Sequence, residues 1–332
     1  MRWSVFSDEL RDRQRNFLTG DRHGDTLVRT QVLNRLRNVK EWLEHQQTLP
    51  WLTRRAARRL FRMYEFDDAS VRALWNSDPD ALYIEPLVTP DAVVLDVGAN
   101  LGTFCYTVRR VRRRVRLIAF EPLPALAASL RTVFPDIEVL ELALSDHTAV
   151  EIFRIPYVDG RRRATRASLE PMFESDTWRE IAVRTDRLDN VVADLALGRL
   201  DLVKVDVEGH ELQVIKGAEQ ALLRHQPTLL VEIEQRHHGA PIAEILRYIE
   251  GLGYLGFFLN RTSLNFDSIE EFDAKAHQRP QDMSTHSYIN NFLFLSRSAD
   301  SVAVRDLLTR HVRGLFHRTG LAPSAPAMPG AR

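Results

Sequence analysis

The sequence predicts an α/β fold built on a Rossmann-like, mostly parallel sheet, because short apolar runs alternate with amphipathic segments from residue 91 onwards. A second observation is a glycine-containing turn, residues 98–102, between the first apolar run and the helix-like segment after it. A third is composition, since 44% of the 332 residues are apolar. That content suits one large domain with extensions.

Seven segments are predicted to form strands, because they are short, apolar runs of the kind buried on both faces of a sheet. They cover residues 93–97, 115–120, 137–140, 202–205, 228–233, 254–259 and 288–295. Helices are predicted between most of them, over residues 103–111, 122–134, 212–223 and 242–252. No helix separates the last two strands, so we expect an antiparallel edge strand in a seven-stranded sheet.

The chain is predicted to divide into three parts. Residues 1–85 form a helical N-terminal extension, because their apolar residues recur at helical spacing. Residues 86–298 form the α/β domain, and residues 299–332 form a C-terminal helix and a disordered tail. The stretch 155–180 lacks periodicity, which predicts a long loop of the kind that often closes over a site.

Charge and composition argue against several classes of partner. The 45 basic residues balance the 45 acidic ones, so no overall field favours nucleic acid or an anionic membrane. No apolar run reaches the ~18 residues of a membrane-spanning helix, and no signal-peptide pattern is recognisable, so a cytoplasmic protein is expected. The single cysteine, Cys105, excludes an internal disulfide and is predicted to be a small core residue.

The first motif with chemical content is DVGANLG, residues 96–102, between a predicted buried strand and a helix. Glycines here let the backbone approach a ligand, and the N-terminus of the following helix carries partial positive charge. Glu121 ends the second predicted strand, where a carboxylate can accept both hydroxyls of a ribose. Together these features predict an adenosine-containing cofactor.

The acid at the start of that motif decides between cofactors. A dinucleotide-binding turn follows Gly-x-Gly-x-x-Gly and surrounds a pyrophosphate. This chain has Gly-x-Asn-x-Gly, with Asp96 two residues ahead, and that carboxylate would repel a pyrophosphate and attract a cationic amino-acid group. S-adenosylmethionine is therefore the favoured cofactor. The alternatives are an NAD(P)-dependent oxidoreductase and a non-catalytic cofactor-binding protein of the same fold.

The second motif is VKVDVEGH, residues 203–210. Lys204 and Asp206 are two residues apart, so they leave a strand on the same face. Charges in an apolar strand are costly unless paired or placed at its C-terminal end, where ligands bind in open α/β sheets. A site role is predicted for both, with a structural salt bridge as the alternative. Asp206 or Glu208, with His210, is the candidate general base, although His210 could equally cap the following helix.

Further polar residues follow the other predicted strands. Glu232 is expected either to face the same cleft or to be a solvent-exposed strand-end acid. Ser145 and Asp146 fall where the wall of an adenine pocket would lie. His237 and His238 have no third ligand at a suitable spacing, so no metal site is predicted.

Four blocks, in order over about residues 88–236, resemble the FkbM-type methyltransferases: VVLDVGANLGTF, IAFEPLP, ELALSD and LDLVKVDVEGHELQVIKGAEQALLRHQPTLLVEIE. The later YINNFLFL is similar to the family's final strand. The resemblance implies a class I methyltransferase fold, with S-adenosylmethionine as donor. It also implies transfer to a hydroxyl oxygen of a sugar or secondary metabolite, hence a small-molecule or glycan acceptor. Neither the acceptor's identity nor an oligomeric state is predicted.

The resemblance also implies residue roles. It places at the cofactor Asp96, Gly98, Asn100, Gly102 and Glu121. It places near the adenine Ser145 and Asp146, and on the methyl-transfer side Lys204, Asp206, Glu208 and His210. His210 departs from the family pattern, in which small residues such as alanine are common. That departure indicates either substrate specialisation or a residue without a catalytic role.

Overall fold

The computed structural model describes residues 61, 67–158, 161–162, 169, 178–283, 285–298 and 300–320. The expectations for the first 60 residues, for the centre of the stretch 155–180 and for the tail beyond residue 320 lie outside this part of the chain. The boundaries of the three predicted parts stay a prediction.

Twelve strands occur in the described residues. In chain order they are β1 (Val93–Val97), β2 (Arg116–Phe120), β3 (Glu138–Leu140), β4 (Ala143–Leu144), β5 (Ala149–Val158), β6 (Arg161–Arg162), β7 (Trp178–Asp186), β8 (Leu202–Val205), β9 (Thr228–Glu232), β10 (Tyr254–Asn260), β11 (Asn265–Ser268) and β12 (Asn291–Ser296). Eight of them form the main sheet, in the order β11-β10-β12-β9-β8-β1-β2-β3.

The main sheet is parallel from β9 through β8, β1 and β2 to β3, while β12 is antiparallel to both β9 and β10. The predicted α/β fold with a mostly parallel sheet is confirmed. The predicted number of seven strands and the predicted edge position of the last strand are wrong. The antiparallel strand β12 lies between two other strands, and an eighth strand, β11, pairs with β10 at the edge. The short polar sequence of β11, NFDS, gave no strand signal.

Ten α-helices occur in the described residues. They are α1 (Asp68–Ser77), α2 (Ile84–Leu87), α3 (Thr103–Val111), α4 (Pro124–Val133), α5 (Leu188–Asp194), α6 (Glu211–Lys216), α7 (Glu219–His225), α8 (Ala243–Gly251), α9 (Ala274–His277) and α10 (Ser301–Thr319). Helix α10 packs against α1, α2 and β11. None of the described helices is both long enough and apolar enough to cross a membrane.

The two faces of the central strands differ in chemistry, because successive side chains of a strand point to opposite faces. Leu95, Val203 and Val231 face one side and belong to the main hydrophobic core. The next residues along β1 and β8, Asp96 and Lys204, are register partners and face the other side. One face of the sheet is therefore a continuous apolar core, whereas the other carries charged groups near the carboxyl ends of its strands.

A smaller sheet has the order β4-β7-β5-β6, with β5 and β7 antiparallel from Ala149 and Thr185 to Pro156 and Trp178. The prediction of a loop over residues 155–180 is therefore wrong at both ends, where residues belong to β5 and β7. Apolar side chains lie on both faces of β5, for example Ile152 outward and Ile155 inward, and this obscures the strand period. The pairing also joins segments that are distant in sequence.

Candidate active site

The glycine turn after β1 is held between two neighbouring strands. Gly98, Asn100 and Gly102 have positive φ angles of 86°, 51° and 83°. A Cβ on Gly98 would lie 1.9 Å from the carbonyl oxygen of Asp206, so only glycine fits without a backbone shift. The backbone N–H groups of Gly98 and Ala99 donate to the carbonyl of Phe120, at 3.1 and 3.0 Å. The ends of β1, β2 and β8 are thereby drawn together.

Glu121 links the end of β2 to this turn. Its Oε2 accepts from the Asn100 backbone N–H at 2.9 Å, and its Oε1 accepts from the Leu123 backbone N–H at 2.8 Å. Burial raises the pKa of Glu121 to about 7, and the negative charge of the nearby Asp96 contributes to the rise. The two hydrogen bonds lower the pKa but do not cancel this effect. Each carboxylate oxygen keeps lone-pair capacity for a further donor, such as a ribose hydroxyl.

Asp96 is the most deeply buried acid of the turn, with 1% of its surface exposed. The Cys105 thiol donates to its Oδ2 at 3.1 Å. Burial raises the pKa of Asp96 to about 6, although Lys204 and the thiol lower it. Cys105 is buried as predicted. Its hydrogen bond to Asp96 was not predicted, because it joins a strand to the following helix.

Lys204 and Asp206 form an ion pair, with the Lys204 Nζ 2.7 Å from the Asp206 Oδ2. Burial opposes the charged form of Lys204, but the carboxylates of Asp206, Asp96 and Glu232 hold its pKa above the usual value. The salt bridge that the sequence left as an alternative is therefore present, at the carboxyl end of β8. It is surrounded by further acids, which a purely structural pair would not need.

Glu232 lies on the same side of the sheet as this pair. Its Oε1 accepts a hydrogen bond from the Asn290 side-chain amide at 2.7 Å. Burial raises the pKa of Glu232 well above its usual value, nearby carboxylates raise it further, and Lys204 lowers it. The expectation that Glu232 is a solvent-exposed strand-end acid is wrong, because the residue is partly buried beside the Lys204–Asp206 pair.

Glu208 lies in the tight turn that follows β8, with positive φ angles of 53° at Glu208 and 106° at Gly209. Two histidines support this turn. The Glu208 Oε2 lies 3.4 Å from the His237 Nε2, and the buried Glu211 lies 2.9 Å from the His238 Nε2. In the described part of the chain, no three His, Cys, Asp or Glu side chains are arranged so that they could hold a metal ion.

His210 contacts a residue that follows β4. Its Nε2 is 2.9 Å from the Ser145 Oγ, and its side chain makes no capping hydrogen bond to α6. Ser145 is fully buried and also contacts the Asp146 carboxylate at 3.3 Å. The structure therefore joins His210 to Ser145, a residue of the predicted adenine side.

Several residues at or near the site escaped sequence reasoning. Asp80, in the 3-10 helix Pro79–Tyr83, is buried and accepts from the Tyr83 hydroxyl at 2.5 Å. Burial raises its pKa to about 7, and the proximity of Lys204 lowers it. Asn290 was visible only as part of a strand-like segment. No local pattern marks either residue, because each gains its surroundings from a distant part of the chain.

Comparison with known proteins gives a match to one family model and several relatives, of which three are described here. Residues 96–255 match the methyltransferase FkbM domain. The AMB antimetabolite synthetase AmbE of Pseudomonas aeruginosa is 33% identical over 46% of this chain and 9% of its own length. The 2-O-methyltransferase NoeI of Sinorhizobium fredii is 30% identical over 42% of this chain and 62% of its own. The 31-O-demethyl-FK506 methyltransferase FkbM of Streptomyces tacrolimicus is 26% identical over 50% and 73%. The chain thus spans less than two thirds of each of the first two relatives.

Proposed function

Because residues 96–255 belong to the FkbM-type methyltransferases, we propose that this protein transfers a methyl group from S-adenosylmethionine to a hydroxyl oxygen of a small molecule or glycan. The observation that carries the proposal is the grouping of two buried acids, Asp96 and Glu121, at a glycine turn beside the Lys204–Asp206 pair. The first two would serve the donor, and the charged pair would serve the acceptor.

The residues at the turn fit a cationic, phosphate-free nucleoside. Burial raises the pKa values of Asp96 and Glu121 to about 6 and about 7, and the positive charge of Lys204 offsets this rise only in part at Asp96. A bound cation relieves that cost, whereas a pyrophosphate adds to it. When bound, S-adenosylmethionine supplies an electrophilic methyl group on a positively charged sulfur.

Each residue at the donor side has a role that its surroundings support. Glu121 accepts the ribose hydroxyls with its remaining lone pairs, while the Asn100 and Leu123 backbone groups fix its orientation. Asp96 binds the ammonium group. Ser145 and Asp146 line the adenine side, and His210 positions Ser145 through their 2.9 Å contact. This assigns His210 an orienting role.

On the acceptor side, the chain must align a hydroxyl and remove its proton. Alignment and exclusion of water can supply ~7–11 kcal/mol of the barrier. Proton transfer to a positioned base contributes a further ~10²–10⁴-fold. Asp206 and Glu208 follow β8 at this end of the sheet, and Lys204 holds Asp206 in one orientation. The ion pair therefore gives the acceptor oxygen a fixed polar surface.

Hydroxyl oxygen is the proposed acceptor atom because two relatives, NoeI and FkbM of Streptomyces tacrolimicus, carry O-methyltransferase names. An oxidoreductase function is disfavoured by the acids at the turn. A non-catalytic binding function is disfavoured by the charged groups at the ends of β8 and β9, because a scaffold that only binds the nucleoside gains nothing from their desolvation cost.

The test uses the purified protein, methyl-labelled S-adenosylmethionine and a panel of methyl glycosides and hydroxylated secondary metabolites. We expect release of S-adenosylhomocysteine together with a product that is heavier by one methyl group and labelled on oxygen. Mass spectrometry and NMR measure both. A label on nitrogen or carbon would overturn the choice of acceptor atom, and failure to bind S-adenosylmethionine would overturn the proposal as a whole.

A further inference from the structure

Two glutamates at the end of β9 have opposite surroundings. Glu234 is buried, and the Arg236 guanidinium donates to both of its carboxylate oxygens at 2.8 and 3.0 Å. The Tyr288 hydroxyl donates to it as well. Although burial opposes ionisation, these donors hold the pKa of Glu234 below its usual value. Glu234 is thus a satisfied structural carboxylate.

Glu232, two residues earlier, is not satisfied in this way. Its Oε1 accepts from Asn290, and no lysine or arginine among the described residues forms an ion pair with it. Four charged groups surround it: Asp206, Lys204, Glu234 and Glu208. Three of the four are carboxylates, so the local charge favours the form of Glu232 that holds a proton.

Strand register places Glu232 beside the proposed acceptor site. Val205 of β8 pairs with Val231 of β9, so the following residues, Asp206 and Glu232, lie side by side on the opposite face. On its other flank, Glu232 pairs with Asn291 of β12. The Asn291 Oδ1 is buried and has no hydrogen-bond partner within the described residues. A donor group, such as a hydroxyl, is therefore accommodated next to Glu232.

Asp206 and Glu232 differ in whether a positively charged side chain contacts the carboxylate. Asp206 forms an ion pair with the Lys204 ammonium at 2.7 Å, so its Oδ2 already has a partner. Within the described residues Glu232 forms no ion pair with a lysine or arginine, although Lys204 lies near enough to lower its pKa. We infer that Glu232 is the general base that takes the proton from the acceptor hydroxyl, while Asn290 orients its carboxylate. The inference rests on the proposed methyl transfer and assigns the base role to Glu232 instead of Asp206 or Glu208.

The proton and electron balance is simple. The new oxygen–carbon bond forms as the carbon–sulfur bond breaks, and the electron pair of the broken bond neutralises the sulfonium. The hydroxyl proton passes to the Glu232 carboxylate and leaves to solvent after the product departs. Protonation removes the negative charge of Glu232 from beside the Asp206 and Glu208 carboxylates, which favours the transfer.

The test compares Glu232→Gln with two control variants, Glu234→Gln and Asp206→Asn. The first readout is S-adenosylhomocysteine release, measured with methyl glycosides and with water alone as acceptor. In each of these two assays where the wild type releases S-adenosylhomocysteine faster than the protein-free buffer does, we expect Glu232→Gln to lower the rate of release by ~10²–10⁴-fold. Its affinity for S-adenosylmethionine, measured by calorimetry, stays unchanged. The Glu234→Gln variant should release S-adenosylhomocysteine at the wild-type rate per folded molecule.

The second readout needs no ligand. Because the pKa of Glu232 is raised in the folded protein, its ionisation destabilises the fold as pH increases. Glu232→Gln removes this effect, so its unfolding temperature falls less than that of the wild type from about pH 5 to about pH 8. Glu234→Gln should run parallel to the wild type over this range at a lower unfolding temperature, since the pKa of Glu234 lies below its usual value and its stabilising ionised form persists throughout.

Two results would overturn the assignment. One is a Glu232→Gln variant that releases S-adenosylhomocysteine at the wild-type rate in an assay in which the Asp206→Asn variant does not. The other is a pH profile of unfolding for Glu232→Gln that runs parallel to the wild-type profile. Absence of S-adenosylmethionine binding would instead contradict the proposed function, and the unfolding profile would still decide whether Glu232 carries the raised pKa.

Discussion

The two faces of strands β1, β8 and β9 share one backbone ladder but differ in what they bury. One face presents Leu95, Val203 and Val231 to the core, all with 1% exposure or less. The other presents Asp96, Lys204 and Glu232, whose charges are desolvated at a cost that only partners or ligands offset. The difference indicates that one face of the sheet provides stability and the other provides the chemistry of the site. Substitutions on the apolar face should therefore lower stability, and those on the charged face should lower activity.

The largest effect is expected from the apolar face. Leu95→Ala leaves a cavity in the centre of the core and should lower the free energy of unfolding by ~2–5 kcal/mol. Chemical denaturation measures this loss. The affinity of the remaining folded protein for S-adenosylmethionine should not change. A variant of normal stability with impaired binding would contradict the separation of the two faces.

A charged-face substitution should do the reverse. Asp206→Ala removes the carboxylate that fixes Lys204, and misplacement of the polar surface should lower methyl transfer by about 10²-fold. The fold should survive, because Asp96 and Glu232 still accompany the lysine. Circular dichroism and S-adenosylhomocysteine release measure the two outcomes. Near-normal transfer by this variant would remove Asp206 from the site.

Binding of the donor should depend on pH. The pKa of Asp96 is raised to about 6 and that of Glu121 to about 7, so both are protonated in acid and ionised above neutrality. A cationic ligand prefers the ionised forms, so affinity for S-adenosylmethionine should be about tenfold weaker near pH 5 than above pH 7. Calorimetry across this range measures the change, and Asp96→Asn should flatten the profile.

The same two acids make an opposite prediction for the protein without ligand. Because the pKa of each acid is raised in the folded protein, its contribution to stability is fully present at pH values below its usual pKa. That contribution is lost as pH rises through about 6 for Asp96 and about 7 for Glu121. The unfolding temperature should therefore fall in that window, and S-adenosylmethionine should restore most of it on the alkaline side. A stabilisation by ligand that is independent of pH would contradict this account.

The smallest effect is expected at Cys105. Cys105→Ala removes the thiol donor to Asp96, a bond worth roughly 0.5–1.5 kcal/mol, and should shift the pH profile of donor binding towards higher pH. Cys105→Ser retains a donor and should restore the profile. If both variants bind identically at every pH, the thiol does not orient Asp96.

Sequence reasoning succeeded where a local pattern reflects the fold. Central parallel strands are buried on both faces, so β1, β2, β8 and β9 appear as apolar runs, and a charge such as Lys204 stands out against them. It failed where the structure depends on distant pairing. The β5–β7 ribbon, the Ser145–His210 contact and the surroundings of Asp80 each join segments that carry no mutual signal in the chain.

The central claim is that buried acids at a glycine turn select a positively charged nucleoside without phosphate. Titration calorimetry of the purified protein with S-adenosylmethionine and with NAD tests it most directly. We predict that S-adenosylmethionine binds near neutral pH and that NAD does not. Binding of NAD in preference to S-adenosylmethionine would contradict it.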